Sequence, residues 1–569
     1  MKHTKKLVNL LLALVMVLAL AVSVSAATVT MPEDGILKDH TYTAYQVFKG
    51  REEDGILSDV QWGSGINSGA FLAALKDDTA YGSFFTECTD AAAVAKVLGT
   101  NNTNADLANA VAELAYAHKT ETGITLTSGT TELASGYYLI VDTTANVAAG
   151  SAYNKALLQV VGNINITAKT DAPTSEKKIV EGSDKVDVNE ASIGDEVKYE
   201  ITGTLPTNFD DYNTYYYVFT DTLSKGLTYK ADSIKVEIVN GETKTDVTKY
   251  FYKNVDTYSA TDGTTITVGI QDIKALGLLS GVTVTKDSKI VVTYTATLNE
   301  NAVIAGEGNP NDVVLKYSND PNNSGTGTTT PPSENPKKPT PSTPTGETPK
   351  DTVVTYTTEL TILKNDEAGN VLPGAEFTLT GNGVNIVLVT TETFVEDTNG
   401  EYWKLTDGTF TTTAPTIADD ETDNSADYDD TTTKYTKTTV LKGNGQGEDG
   451  AYVDVTGAVD ASTGTVTFTG LGAGTYTIKE SKTPAGYNTI APITFTLTFN
   501  AETKTFVSDN NKVVVGVDNK LDTTIVNEKG ATLPETGGMG TTLFYVIGGV
   551  LVLAAVVLLV TKRRMSAEK

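Results

Sequence analysis

Apolar and polar positions alternate along most of this chain. Tyr42-Thr43-Ala44-Tyr45-Gln46-Val47-Phe48 has the two-residue period of a strand with one buried face. The stretches 136–141, 156–166, 196–201, 290–298, 465–468, 475–478 and 493–499 predict further strands. One region follows a different period. Leu107, Val111 and Leu114 stand at i, i+4 and i+7 behind Asn104, which predicts a capped amphipathic helix. Two stretches abandon periodicity and stay apolar, Leu7 to about Val22 and Leu543 to Val560. The pattern predicts a mainly β protein built as tandem β-sandwiches, with helical insertions in the N-terminal one.

Punctuation along the chain divides it. Residues 27–168 form the mixed N-terminal domain. Residues 169–320 alternate strands and turns, as a sandwich does. Residues 321–352 are rich in Pro, Thr, Ser, Asn, Gly and Lys, which predicts a semi-rigid spacer without a core. Residues 353–529 form a second all-β unit, interrupted over about 386–450 by a Thr-, Asp- and Gly-rich insertion of open role.

The ends predict export. Lys2, Lys5 and Lys6, the apolar run and the small residues Val24-Ser25-Ala26 make residues 1–26 a signal peptide cut after Ala26. Residues 530–569 contain Leu533-Pro534-Glu535-Thr536-Gly537, then eighteen apolar residues, then Lys562-Arg563-Arg564. Eighteen apolar residues can just cross a bilayer, and the basic residues after them stay inside.

Charge narrows the function classes. Lys plus Arg number 43 against 71 Asp plus Glu, a net charge of −28 over 569 residues. Removing both ends takes away seven basic residues and one acidic residue, which leaves −34. A chain this acidic is repelled by phosphate backbones, so nucleic acid is not an expected partner. With three His and one Cys, no metal site, cofactor or intrachain disulfide is expected. Cys88 has an acidic neighbour, Glu87, that would not activate a thiolate. The two mature histidines, His40 and His118, offer no Ser–His–Asp set by sequence, so no enzyme is expected.

The most informative residues are polar ones at apolar positions. In a strand, i and i+2 share a face. Leu360, Ile362 and Lys364 share one; Tyr476, Ile478 and Glu480 another; Thr523, Ile525 and Asn527 a third. Residues 170–320 repeat the theme. Lys177 shares a face with Ile179, Asp221 with Tyr215, Tyr217 and Phe219, and Asn319 with Val313, Leu315 and Tyr317. Burial lowers a lysine pKa and raises a carboxyl pKa, so both favour neutral forms. A neutral amine is a nucleophile, and a protonated carboxyl can polarise an amide carbonyl. An adjacent Asn would then lose ammonia and leave an isopeptide bond. Parity alone favours a buried ion pair with a bystander Asn, the commoner way to satisfy buried charges.

Three resemblances bear on this choice. The C-terminus resembles a Gram-positive cell-wall sorting signal, which implies that a sortase cuts between Thr536 and Gly537 and joins the Thr536 carboxyl to an amine. The segment from Lys364 through Leu372-Pro373-Gly374-Ala375-Glu376-Phe377 resembles the opening of collagen-adhesin (Cna) B-type domains. Tyr476 to Tyr487 resembles the pilin E-box, and Ile525-Val526-Asn527 the closing strand of such domains. This implies an isopeptide bond between Lys364 and Asn527 with Glu480 as catalyst. Residues 169–320 are similar to the Cna A-type variant of major pilins, which implies Lys177, Asn319 and the catalytic Asp221. Lys178 is the rival lysine, and spacing after Pro173 favours Lys177.

Parity makes Lys169 an outward-facing lysine between the first two domains. Ile164-Asn165-Ile166-Thr167-Ala168-Lys169 is similar in position to the linking-lysine motif of sortase-assembled pilins, with Thr-Ala where that motif has Tyr-Pro. The resemblance as a whole implies tandem Ig-like (Cna-type) sandwiches in a structural fimbrial subunit. Class C and housekeeping sortases would join it to other pilin subunits and to peptidoglycan at the cell surface. The competing expectation is a monomeric wall-anchored or pilus-tip adhesin. A host or bacterial receptor is left open.

Overall fold

A computed structural model describes residues 27–31, 40–53, 56–126, 129–160, 164–165, 172–382, 388–418, 422–443, 455–531 and 540–565. The N-terminal part is built on a five-stranded sheet. Tyr42–Glu53 lies between Ile56–Trp62 and Gly136–Asp142, Leu157–Val160 follows at the edge, and Ile124–Leu126 pairs with Tyr42–Glu53. The helices Ser68–Asp77, Ala91–Thr100 and Ala105–Ala117 come between the second and third of these in sequence. The Asn104 side chain caps the last helix by accepting from Leu107 N at 3.0 Å. Leu107 and Val111 are buried on its inner face, and Leu114 is half-buried against the same core. A small separate sheet pairs Ala27–Met31 with Gly129–Leu133 and with Ile164–Asn165.

The middle unit is a sandwich of two sheets. One runs Asp184–Val186, Ser175–Glu181, Glu196–Gly203, Lys289–Leu298, Lys235–Asn240 and Thr243–Asp246. The other runs Val188–Glu190, Asp351–Tyr356, Asn309–Ser318, Tyr217–Leu223, Thr264–Ile270 and Tyr252–Val255. Their facing residues, among them Tyr199, Ile201, Tyr217, Phe219, Val292, Tyr294 and Leu315, form one apolar core.

The expectation of a free, coreless spacer over 321–352 is corrected. Thr345–Glu347 and Asp351–Tyr356 both pair with Asn309–Ser318, so the end of the segment completes the middle sandwich. Further back, Asn335 N donates to Lys249 O at 2.8 Å and Thr340 N to Gln271 Oε1 at 2.8 Å. Prolines leave the backbone stiff and short of donors, yet these two donors find acceptors on the domain surface.

The last unit is also a two-sheet sandwich. Its first strand, Thr358–Asp366, lies between Thr465–Leu471 and the closing strand Leu521–Asn527. The first and closing strands run parallel, with Lys364 opposite Ile525 and Asp366 opposite Asn527. The second sheet carries Gly474–Lys482 between Glu376–Asn382 and Ile493–Asn500. The described part of the insertion contains a long hairpin, Leu388–Glu396 against Tyr435–Gly443. At its far end Phe394 and Phe410 stack at 3.9 Å, with Tyr402 and Tyr435 edge-on at 5.0 Å. The helix Gly540–Met565 ends the described chain.

The units are stitched by hydrogen bonds from backbone donors. Tyr153 N donates to Asn319 O at 2.7 Å and Gly150 N to Glu347 O at 2.8 Å. Between the second and third units, Ile193 N donates to Gly470 O at 3.0 Å and Ala473 N to Glu190 Oε2 at 2.6 Å.

Candidate functional site: two buried lysine–acid–asparagine sets

In the last unit, parity does what the alternation requires. Lys364 and Asn527 are 0 % exposed and Glu480 is 4 % exposed. The parallel register puts Asn527 two residues beyond the partner of Lys364 on the same inward face. Glu480 comes from the opposing sheet. It accepts a hydrogen bond from Asn527 Nδ2 at 2.7 Å and another from Ile490 N at 3.1 Å. Lys364 Nζ donates to the Asn365 carbonyl at 2.9 Å. Burial pushes the Lys364 amine below its usual range, opposed first by the charge of Glu480. The amide oxygen of Asn527 is buried and unpartnered among the described residues. An orphaned carbonyl oxygen is costly, and it is also where a proton or hydrogen bond would activate the amide for attack.

In the middle unit, Lys177 and Asp221 are 0 % and 1 % exposed and form an ion pair in the core. Lys177 Nζ also donates to the Tyr294 hydroxyl at 2.9 Å. That hydroxyl lies 2.9 and 3.0 Å from the two Asp221 oxygens. Burial pushes the Lys177 amine down and the Asp221 carboxyl up, each opposed by the other's charge. Both directions favour the neutral amine beside the neutral acid. Lys178, the rival, faces outward and pairs with Asp187 at 2.6 Å and Glu176 at 3.3 Å. The interior lysine is Lys177.

Asn319 is not brought to this set, which corrects the sequence expectation. The register pairs Asp221 with Val313 and Tyr217 with Tyr317. Asn319 therefore lies six positions past the partner of Asp221, about 20 Å at a strand's rise per residue. It serves the junction instead, where its carbonyl receives Tyr153 N. The asparagine beside the set is Asn311, two positions before Val313 on the same face and 0 % exposed. Its Nδ2 donates to the Tyr294 hydroxyl at 2.7 Å. Its amide oxygen, like that of Asn527, is buried without a partner among the described residues. The signal was present in the sequence, since Asn311 has the parity of Val313 and Leu315.

Other expected residues fall elsewhere. Lys169 and Leu533, Pro534, Glu535, Thr536 and Gly537 lie outside the described residues, as does the signal peptide. Cys88 is buried, and burial pushes its thiol up. One grouping escaped the sequence reading. His40 Nδ1 lies 2.6 Å from Asp142, and Ser151 Oγ lies 3.4 Å from His40 Nε2. The imidazole and carboxylate side chains are only 3 % and 0 % exposed, and Asn154 and Thr144 also bond Asp142, so the cluster is a closed brace. Among the described residues no cluster of three or more His, Cys, Asp or Glu could hold a metal.

Comparison with known proteins adds three domain matches. Residues 193–321 match the family model of Gram-positive pilin backbone subunit 2, Cna-B-like domain, where the sequence resemblance had implied the A-type variant. Residues 358–512 match the prealbumin-like fold domain, and residues 525–566 the LPXTG cell wall anchor motif. No curated protein matches the chain. Among solved structures, the T6 backbone pilin of serotype M6 Streptococcus pyogenes is 15% identical with TM-score 0.45, covering 89% of this chain and 98% of that one. The full-length major pilin SpaD from Corynebacterium diphtheriae is 17% identical with TM-score 0.44, covering 90% and 99%. The full-length major pilin RrgB from Streptococcus pneumoniae is 14% identical with TM-score 0.37, covering 89% and 100%. The helix within the matched anchor segment includes 23 residues, Leu543–Met565, long and apolar enough to cross a bilayer. Domain by domain, the chain carries a match to a Gram-positive pilin backbone-subunit domain, a prealbumin-like domain and an LPXTG cell-wall anchor.

Proposed function

We propose that this chain is the backbone subunit of a covalent surface pilus, with an internal isopeptide bond in each of its last two domains. The observation that carries the reading is the repetition of one arrangement in two domains. Each holds a buried lysine on an early strand, a buried acid on the opposing sheet and a buried asparagine with an orphaned amide oxygen. The bonds join Lys177 to Asn311 and Lys364 to Asn527, with Asp221 and Glu480 as acids. Each replaces an amine and a primary amide by a secondary amide and ammonia.

Sortase chemistry follows from the anchor. A sortase cleaves between Thr536 and Gly537 and transfers the Thr536 carboxyl to Lys169 of the next subunit. This head-to-tail contact does not close on itself, so it makes a filament. A second transfer fixes the last subunit to peptidoglycan. Tension entering at Lys169 then passes Lys177, crosses to Asn311, runs on to Lys364, crosses to Asn527 and leaves at Thr536. Both sandwiches are bypassed by covalent bonds, which do for this chain what disulfides do for other exported proteins.

The test is a wall extract boiled in detergent and blotted beside a Lys169→Ala strain. A ladder that collapses to monomer in the variant supports the polymer and its acceptor. A ladder that persists moves the acceptor to another lysine. A single wall-linked band in the wild type overturns the polymer and leaves a monomeric wall-anchored protein.

A further inference from the structure

The two sets differ in how the acid meets the asparagine. Glu480 bonds Asn527 directly at 2.7 Å. Aspartate is one methylene shorter than glutamate, and no bond from Asp221 to Asn311 is found among the described residues. The Tyr294 hydroxyl fills the gap. It contacts the Lys177 amine at 2.9 Å, the Asn311 amide nitrogen at 2.7 Å and both Asp221 oxygens at 2.9 and 3.0 Å. A phenol offers one proton and two acceptor positions, and this arrangement uses all three. The ring is fixed by its strand, Lys289–Leu298, and by stacking on Tyr199 at 5.3 Å.

We infer that Tyr294 is a catalytic residue of the middle-domain cross-link, carrying a proton between the acid and the departing amide nitrogen. The inference rests on the cross-link reading above. Lys177 first passes its proton to Asp221, with which it is in contact. The neutral amine attacks Asn311 Cγ, forming the new C–N bond and an oxyanion. Asp221 gives its proton to the phenol oxygen as the phenol gives its own to Asn311 Nδ2. The attacking nitrogen, now cationic, returns a proton to Asp221. The oxyanion collapses and the old C–N bond breaks. One ammonia leaves, Tyr294 ends as it began, and Asp221 ends as the neutral acid, holding the one proton that the lysine ammonium carried in excess. Lys177, Asp221 and Tyr199 are the titratable groups facing the hydroxyl, with Asp312 and Asp351 acting on the lysine from further away.

The experiment follows the intact mass of the exported chain, Ala27 to Thr536, after pulse synthesis, in wild type and Tyr294→Phe. Phenylalanine keeps the ring and removes only the hydroxyl. The expected result is prompt loss of the last-domain ammonia in both chains. Loss of the middle-domain ammonia should be roughly a hundredfold slower in the variant, the scale of one positioned proton transfer. Loss of both at the wild-type rate overturns the role of Tyr294 and leaves the cross-link standing. A wild type that keeps the middle-domain ammonia overturns the cross-link itself. If the variant does not fold, 3-fluorotyrosine at 294 keeps the shape and changes the acidity of the hydroxyl. A changed rate supports the role, and an unchanged one overturns it.

Discussion

Asn527 donates a 2.7 Å hydrogen bond to Glu480 from within a core that leaves both 4 % exposed or less. The bond holds the amide nitrogen at the acid and leaves the amide oxygen bare. That is an expensive way to bury an asparagine unless the residue has somewhere further to go. A cross-link to Lys364 removes the buried amine and replaces the unpartnered primary amide.

The first prediction concerns mass and stability. The wild-type ectodomain should be lighter than its sequence by two ammonias. Glu480→Ala and Asp221→Ala should each restore one, read by intact mass. Losing either cross-link should cost about 2–5 kcal/mol, the range for opening a comparable covalent loop, and calorimetry of each variant measures it. An unmodified wild-type mass would sink the reading.

The second prediction separates the two asparagines of the middle domain. Asn311→Ala should abolish one ammonia loss. Asn319→Ala should leave both, because its register carries it away from Lys177. Peptide mapping for a branched fragment containing Lys177 gives the partner directly. A Lys177–Asn319 fragment would reverse the assignment.

The third prediction is a pH dependence at the junction of the last two domains. Glu190 accepts from Ala473 N, and burial pushes its carboxyl up from the usual range, with Asp195 and Glu181 adding to the shift. The folded state therefore binds a proton more tightly than the unfolded one. By linkage, stability falls as pH rises through the folded pKa, and the contribution is full below the unfolded value near 4.3. The junction should tighten in mild acid and loosen towards neutrality. Glu190→Gln should flatten that slope, measured as hydrogen exchange at Gly472 and Ala473 against pH. An unchanged slope would assign the dependence to another group.

The fourth prediction is mechanical. Pulled between Lys169 and Thr536, the wild-type chain should extend only over the stretch between Asn311 and Lys364, apart from its ends. There the hold is the pairing of Asp351–Tyr356 with Asn309–Ser318 and Val188–Glu190. Asn311→Ala should add a longer extension as the middle sandwich opens. Single-molecule force spectroscopy reads both lengths. A long extension in the wild type would mean that load is not carried by the cross-links.

Much of the site was legible in the sequence. Alternation marks a strand's two faces, so Lys364, Glu480 and Asn527 could each be placed inside before any fold was known. The same logic put Lys177 and Asp221 in the core. In the last domain it named three residues that are all buried, because the asparagine lies on a short closing strand with one inward asparagine to choose. In the middle domain it failed. Asn309, Asn311 and Asn319 share one parity, and parity gives a face without giving a position along it.

What the sequence determined by itself was therefore local or covalent: the strand faces, the capped helix behind Asn104, the apolar ends and the sorting pentapeptide. The tertiary structure decided which groups meet. Antiparallel register placed Asn311, rather than Asn319, beside Lys177. Cross-sheet packing brought Tyr294 between Asp221 and Asn311. Strand addition drew the end of the Pro-rich segment into the middle sheet. Each depends on residues far apart in the chain, and the pairing of distant strands is set by the closure of the whole core, which no local pattern encodes.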